Sequence, residues 1–394
     1  MTSVSNTLVS LTLTFLDKNG MPSIWDIIST CRNLTYLRLN HLVTTSSPHF
    51  PLLLESTSLT TFILDEDSLS DTAMNTGLEK LFQLSPHLRC VSIFLCDDDI
   101  YELVTRYCSN LKVLTAGWLT LRWEKEIESL VSSKTSGGDG LQWLIIRFSD
   151  KIKSDNTISY VEQNEATLRR LSIMCGPTMK QMDHWHRLSV CSFDKLTHFA
   201  LEKAPFIAYP YINTILKKTS RHLEYFRMSC GPDRPMPQSI FSTLKKMSTL
   251  HNLSLVDFDA DPHHLQEFLE AHVQMKEASP LHNLKICFYW NMNDDIAITC
   301  TRIQSLSALT IGDDFHAGST STKEFMYAVT RQSHITSLAL VDLDMTVENL
   351  KIISSNKAIK DLTLMTVRGI SKVQVDDIFS TKNVHVVFLA DSDF

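Results

Sequence analysis

A short pattern, apolar-x-x-apolar-x-apolar, returns along this chain at a nearly fixed beat. Its first copy is Leu8, Leu11 and Leu13, and its second is Leu34, Leu37 and Leu39. Further copies open at Leu59, Leu88, Leu111, Leu141, Leu168, Leu196, Leu223, Leu250, Leu281, Leu306, Ile335, Ile359 and Val384. With 43% hydrophobic residues such triads often arise by accident, so the pattern alone says little. The spacing is what constrains the fold. Neighbouring openings stand about 27 residues apart, the beat of a stacked repeat.

Between the triads the sequence reads as helix. Asp97, Asp98 and Asp99 precede Ile100, Leu103, Val104 and Tyr107, a helical stripe with acids at its positive end. Asp261 and Pro262 suit an N-cap and first helical position before Leu265, Phe268, Leu269, His272 and Val273. Ser321 and Glu324 suit a capping box ahead of Phe325, Ala328 and Val329. Each unit is thus a strand, a loop and a helix, and neither element can bury its apolar side alone. Stacking the units buries both in one continuous core. The expected fold is α/β, a right-handed solenoid of about 15 strand-loop-helix units forming one domain over 1–394. Its parallel sheet should line the inside of a horseshoe, along an arc of roughly 70 Å.

Composition removes several function classes. The formal charge is −7 and the pI about 6.1, with Lys and Arg scattered, so neither nucleic acid nor anionic membrane is an expected partner. The nine cysteines lack the close spacing of a disulfide framework. The first residues lack the basic-then-apolar order of a secretory signal, and no apolar run is long enough for a membrane span. A cytoplasmic or nuclear location is expected.

Cys31-Arg32-Asn33-Leu34 and Cys108-Ser109-Asn110-Leu111 place a Cys three residues before the opening Leu and an Asn just before it. Cys96 follows the Leu88 triad at a matching offset. In these features the chain resembles leucine-rich repeats of the ribonuclease-inhibitor-like superfamily, above all those of F-box substrate receptors. Most other units depart from the cysteine pattern. The F-box, a helical segment preceding the repeats in that family, has no counterpart before Leu8. The resemblance implies a protein partner on the concave face, with ubiquitin-ligase components among the candidates. The first and last units are expected to lack caps, giving fraying, association through an end, or missing sequence.

Strand residues pointing away from the core are the candidate contacts. In the middle repeats these include Trp143, Arg147, Arg170, His198, Tyr225 and Arg227, with Ser172 and Glu202 beside them. Arginines and large aromatics on neighbouring strands are the anchors enriched in binding hot spots, suited to an acidic or phosphorylated segment. Asp313, Asp342 and Asp361 form an expected acidic flank. Loops at 132–140 and 231–237 lie beside these units and read as surface insertions.

Other features read as structural. Cys175-Gly176-Pro177 and Cys230-Gly231-Pro232 recur two units apart. Two strand spacings put their Cα atoms ~10 Å apart, too far for a disulfide, so a shared turn is expected. His184 and His186 diverge on a helix and lack partner ligands, so no metal or other cofactor is expected. No phosphate loop, nucleophile elbow, zinc-protease helix or dinucleotide fingerprint occurs. The expected function is a non-catalytic recognition scaffold, substrate-receptor-like; the alternative is regulation of a small GTPase.

Overall fold

The computed structural model describes residues 7–14, 30–40, 57–65, 72–93, 98–116, 140–148, 155–176, 182–230, 235–258, 261–288, 294–313 and 323–389. Fifteen strands lie in chain order in one open parallel sheet, and eleven α-helices are found among the described residues. The fold is the expected α/β leucine-rich-repeat solenoid. Its contacts divide into two compact units, 1–196 and 197–394.

The first unit holds β1 (Ser10–Thr14), β2 (Tyr36–Asn40), β3 (Thr61–Asp65), α1 (Thr72–Leu84), β4 (Cys90–Ile93) and α2 (Asp98–Tyr107). It continues with β5 (Val113–Thr115), β6 (Trp143–Arg147), α3 (Asp155–Asn164), β7 (Arg170–Met174) and α4 (Met182–Val190). Every strand of this unit begins two residues after its opening leucine. The second and third leucines of each triad then fall on alternate strand positions and share one face. Leu37 and Leu39 of β2 and Leu144 and Ile146 of β6 are completely buried there. The helices close this core with Phe82 of α1, Ile100 and Val104 of α2, Ile158 of α3 and Trp185 of α4. Tyr101, which the helical stripe did not include, is also buried.

The second unit holds β8 (His198–Glu202), α5 (Tyr209–Thr219), β9 (Tyr225–Ser229), α6 (Gln238–Leu244), β10 (Asn252–Phe258), α7 (Pro262–Met275), β11 (Asn283–Phe288) and α8 (Asp294–Thr301). It ends with β12 (Ala308–Asp313), α9 (Lys323–Thr330), β13 (Ser337–Val341), α10 (Val347–Ser354), β14 (Asp361–Met365), α11 (Lys372–Phe379) and β15 (His385–Leu389). Asp261 caps α7 by accepting from the His263 N–H at 2.9 Å, with Pro262 opening the helix. Thr346 caps α10, and Ser371 with Gln374 forms a capping box on α11. Ser321, half of the expected capping box, lies outside the described residues, as do Cys96 and Asp97.

One register differs from expectation. The repeating pattern puts the last triad on Val384, Val387 and Leu389. The pairing sets Val386 opposite Leu362 and Phe388 opposite Leu364, so the core positions stand one residue earlier. A strand with apolar side chains on both faces gives no periodic signal to choose between them.

Neighbouring repeats are joined by a shared carbonyl just before each strand. The Thr60 carbonyl accepts from Arg89 N–H at 2.8 Å and Cys90 N–H at 3.1 Å. In the second unit the Glu224 carbonyl accepts from His251 at 2.9 Å and Asn252 at 3.0 Å. Hydroxyls immediately before the opening leucine add a second rung. Thr167 Oγ1 donates to the Leu141 carbonyl at 2.8 Å, and Thr249 Oγ1 to the Leu223 carbonyl at 2.8 Å. Ser305 Oγ donates to the Leu281 carbonyl at 2.6 Å.

Candidate functional site

Odd-numbered strand positions face away from the helices, and this open face differs between the two units. In the first unit much of it is buried. Ile63, Cys90, Val113, Trp143 and Ile145 form one apolar cluster, with Tyr36 packed against it. Trp143 is only 3% exposed, so it is not the exposed anchor its strand position suggests. Its ring instead supports Arg170 of the next strand, whose guanidinium carbon lies 4.7 Å from the ring centroid. Arg170 and Arg147 are both half-buried. Desolvation beside an aromatic face strengthens a cation–π contact and limits the arginine's rotamers.

The open face of the second unit is polar and partly exposed. The His198 ring stacks on Tyr225 with centroids 5.6 Å apart and planes at 19°. The His198 Nδ1 also lies 2.9 Å from Thr197 Oγ1. Continuing along the first strand row, Asn283 Nδ2 donates to Asn252 Oδ1. One position earlier, His251 and His282 stack at 5.3 Å with planes at 18°. These four residues were missed, although Leu-His-Asn-Leu stands twice in the sequence, at 250–253 and 281–284. Planar side chains at identical positions of adjacent repeats are held one strand spacing apart, which suits stacking and amide ladders.

Arg227 occupies the third position of β9. Pairing places it beside Ala200 on one side and Ser254 on the other, and Ser254 stands beside Lys285 of β11. Two long cationic side chains therefore flank a small hydroxyl. The Arg227 guanidinium, 35% exposed, meets Glu202 at 3.4 Å, and its Nε is buried without an acceptor. Near the end of β10 the pairing with β11 shifts between Leu255 and Phe258, a bulge that contains Asp257 in a left-handed conformation, φ 47°. Bulges re-aim side chains. Burial pushes the Asp257 carboxyl above its usual range, opposed by Arg227, Lys285 and Lys203. Its Oδ1 is buried and has no donor.

The expected acidic flank does not share one row. Asp361 opens β14 and pairs with His385 at 3.7 Å. Asp342 stands just past β13 and accepts from Thr366 Oγ1. Asp313 ends β12.

The remaining sequence candidates are structural. His184 is buried, with Nε2 3.3 Å from Asp155 Oδ1, whereas His186 is exposed. Among the described residues no group of three or more His, Cys, Asp or Glu is placed to hold a metal ion. Burial pushes the thiols of Cys90, Cys108 and Cys230 up to about 12, far from the reactive thiolate range. Cys175 and Cys230 are both buried, while Pro177, Gly231 and Pro232 lie outside the described residues, as do most of the two loops beside these units. No described helix is long and apolar enough to cross a membrane.

No protein-family model matches the chain, and no curated protein does. Among solved structures the chain is similar to one titled as the crystal structure of the Rad7 and Elc1 complex in yeast. The identity is 14%, the match covers 81% of this chain and 80% of that one, and the TM-score is 0.49.

Proposed function

We propose that this protein is a recognition scaffold that binds a protein partner through the open face of its sheet and performs no chemistry itself. The observation that carries this reading is the layered open face of the second unit. There the ring pair His198 and Tyr225, the amide pair Asn252 and Asn283, and the cations Arg227 and Lys285 stand on adjacent strands of a rigid sheet. In the first unit Arg170 braced on Trp143, with Arg147 at the far end of the same strand pair, supplies a second contact region. Side chains fixed in this way lose little rotamer freedom on binding, which is what makes aromatic and arginine anchors effective. The high-pKa buried thiols and the absence of catalytic sequence motifs support a non-enzymatic role.

Within that reading, the resemblance to F-box receptors supports a substrate-receptor role in a ubiquitin ligase, acting in the cytoplasm or nucleus. The experiment is proximity labelling and pull-down from native cells with the wild type and an Arg147→Glu, Arg227→Glu double variant. Partners lost from the variant, with its circular dichroism unchanged, support the surface. An identical partner set from both proteins rules it out, and a set without ligase subunits rules out the receptor role.

A further inference from the structure

We propose that the open face of β8–β11 docks a segment of a protein partner through an aspartate or glutamate side chain. Its carboxylate would be held between Arg227 and Lys285, with Lys203 at the rim. This rests on the open-face reading above and names what that face selects.

The third strand row carries the argument. Arg227 and Lys285 are its long cationic members, and their neighbours in register are small: Ala200, Ser254 and Thr310. Ser254 between them is small and buried, so no long side chain separates the two cations. At ~4.8 Å per strand, the two cations arise ~10 Å apart, a span that both side chains can close over one carboxylate. Their own pairing is incomplete. Among the described residues Lys285 and Lys203 make no ion pair within 4.0 Å, and Arg227 has only the 3.4 Å contact with Glu202. With its Nε unbonded as well, the guanidinium can turn toward a partner without breaking a strong bond.

The balance of charge selects the occupant. Arg227, Lys203 and Lys285 face two carboxylates, Glu202 and Asp257. Asp257 sits on the bulge with one oxygen buried and undonated. Three cations against two carboxylates leave one positive charge in surplus. A single negative charge satisfies it. A doubly charged phosphate would overshoot that surplus and set its second charge against Glu202 and Asp257, so the carboxylate is the better match.

The test uses the full chain and peptides selected on it from a random displayed library, then synthesised with a fluorescent label for anisotropy titration. The expected peptides share an Asp or Glu, and changing it to Asn or Gln weakens binding ~tenfold or more. Lys285→Met and Arg227→Gln should cause a similar loss, with no further loss when either is combined with the neutral peptide. Lys203→Met, at an exposed position, should weaken binding less while leaving the fold untouched. Selected peptides without an acid overturn the proposal, as do effects that simply add. Tighter binding of a phosphoserine peptide overturns the carboxylate assignment. If Tyr225→Ala weakens binding but Lys285→Met does not, the open-face reading stands and this proposal falls. If no open-face substitution alters binding, both fall.

Discussion

The guanidinium of Arg170 lies over the ring of Trp143, 4.7 Å from its centroid, and thereby divides two jobs between residues that look alike in the sequence. Trp143 is a packing residue of an apolar cluster, and Arg170 is a half-buried cation resting on it. Their effects should therefore separate.

Trp143→Ala empties a buried site and should cost ~3–5 kcal/mol of stability. Arg170→Ala removes a half-buried cation–π contact and should cost ~1 kcal/mol. Urea unfolding of both variants checks this. Equal midpoints would show that the tryptophan is not buried as described.

Acid should weaken the fold through His272. This residue is 1% exposed, its Nδ1 meets Ser279 Oγ at 3.0 Å, and Phe268 packs edge-on against it. Burial, with a smaller push from Lys245, lowers its pKa from 6.5 to about 4. The unfolded chain thus takes up a proton that the folded chain refuses as pH falls from 6.5 towards 4. Stability should drop across that window by up to ~1.4 kcal/mol per pH unit. His334, lowered by burial as well, contributes in the same direction. Replacing His272 with Phe should reduce the slope seen by denaturation at stepped pH; an unaltered slope would contradict the assignment.

Gly312 is held small by its neighbour. A Cβ there would stand 2.8 Å from both the Val341 Cβ and the Val341 carbonyl oxygen. Gly312→Ala should cost ~1–3 kcal/mol. Adding Val341→Gly, which takes away that Cβ, should recover only part, because the backbone oxygen remains in the way. Full recovery in a double-mutant melt would show that the carbonyl is not the obstacle.

The hydroxyl rung should be measurable at one residue. Thr249→Val keeps the shape but leaves the Leu223 carbonyl without the donor it has at 2.8 Å. The expected cost is ~1 kcal/mol. Thermal melts of this variant beside wild type decide it, with no change in midpoint as the contrary result.

What could be read from residues alone was set by how each residue signals. The leucine beat located fifteen strands because buried leucines leave a periodic trace. It slipped at β15, where His385-Val386-Val387-Phe388-Leu389 is apolar on both faces. Strand parity placed Trp143 on the open face correctly, but parity does not say whether that face is covered. The His251 and His282 stack was overlooked because histidine carries no clear burial signal, although its tetrapeptide repeats. Asp257 was invisible, since a bulge shifts register without altering the residues around it.

The doubled acceptor just ahead of each strand has a consequence for how such a chain can change over generations. Deleting one residue between an opening leucine and its strand would unhook two donors at once and turn every side chain of that strand over. Adding several residues in the spans that follow would disturb neither. Length variation should therefore gather in those outer spans, while the few positions around each shared oxygen keep their count.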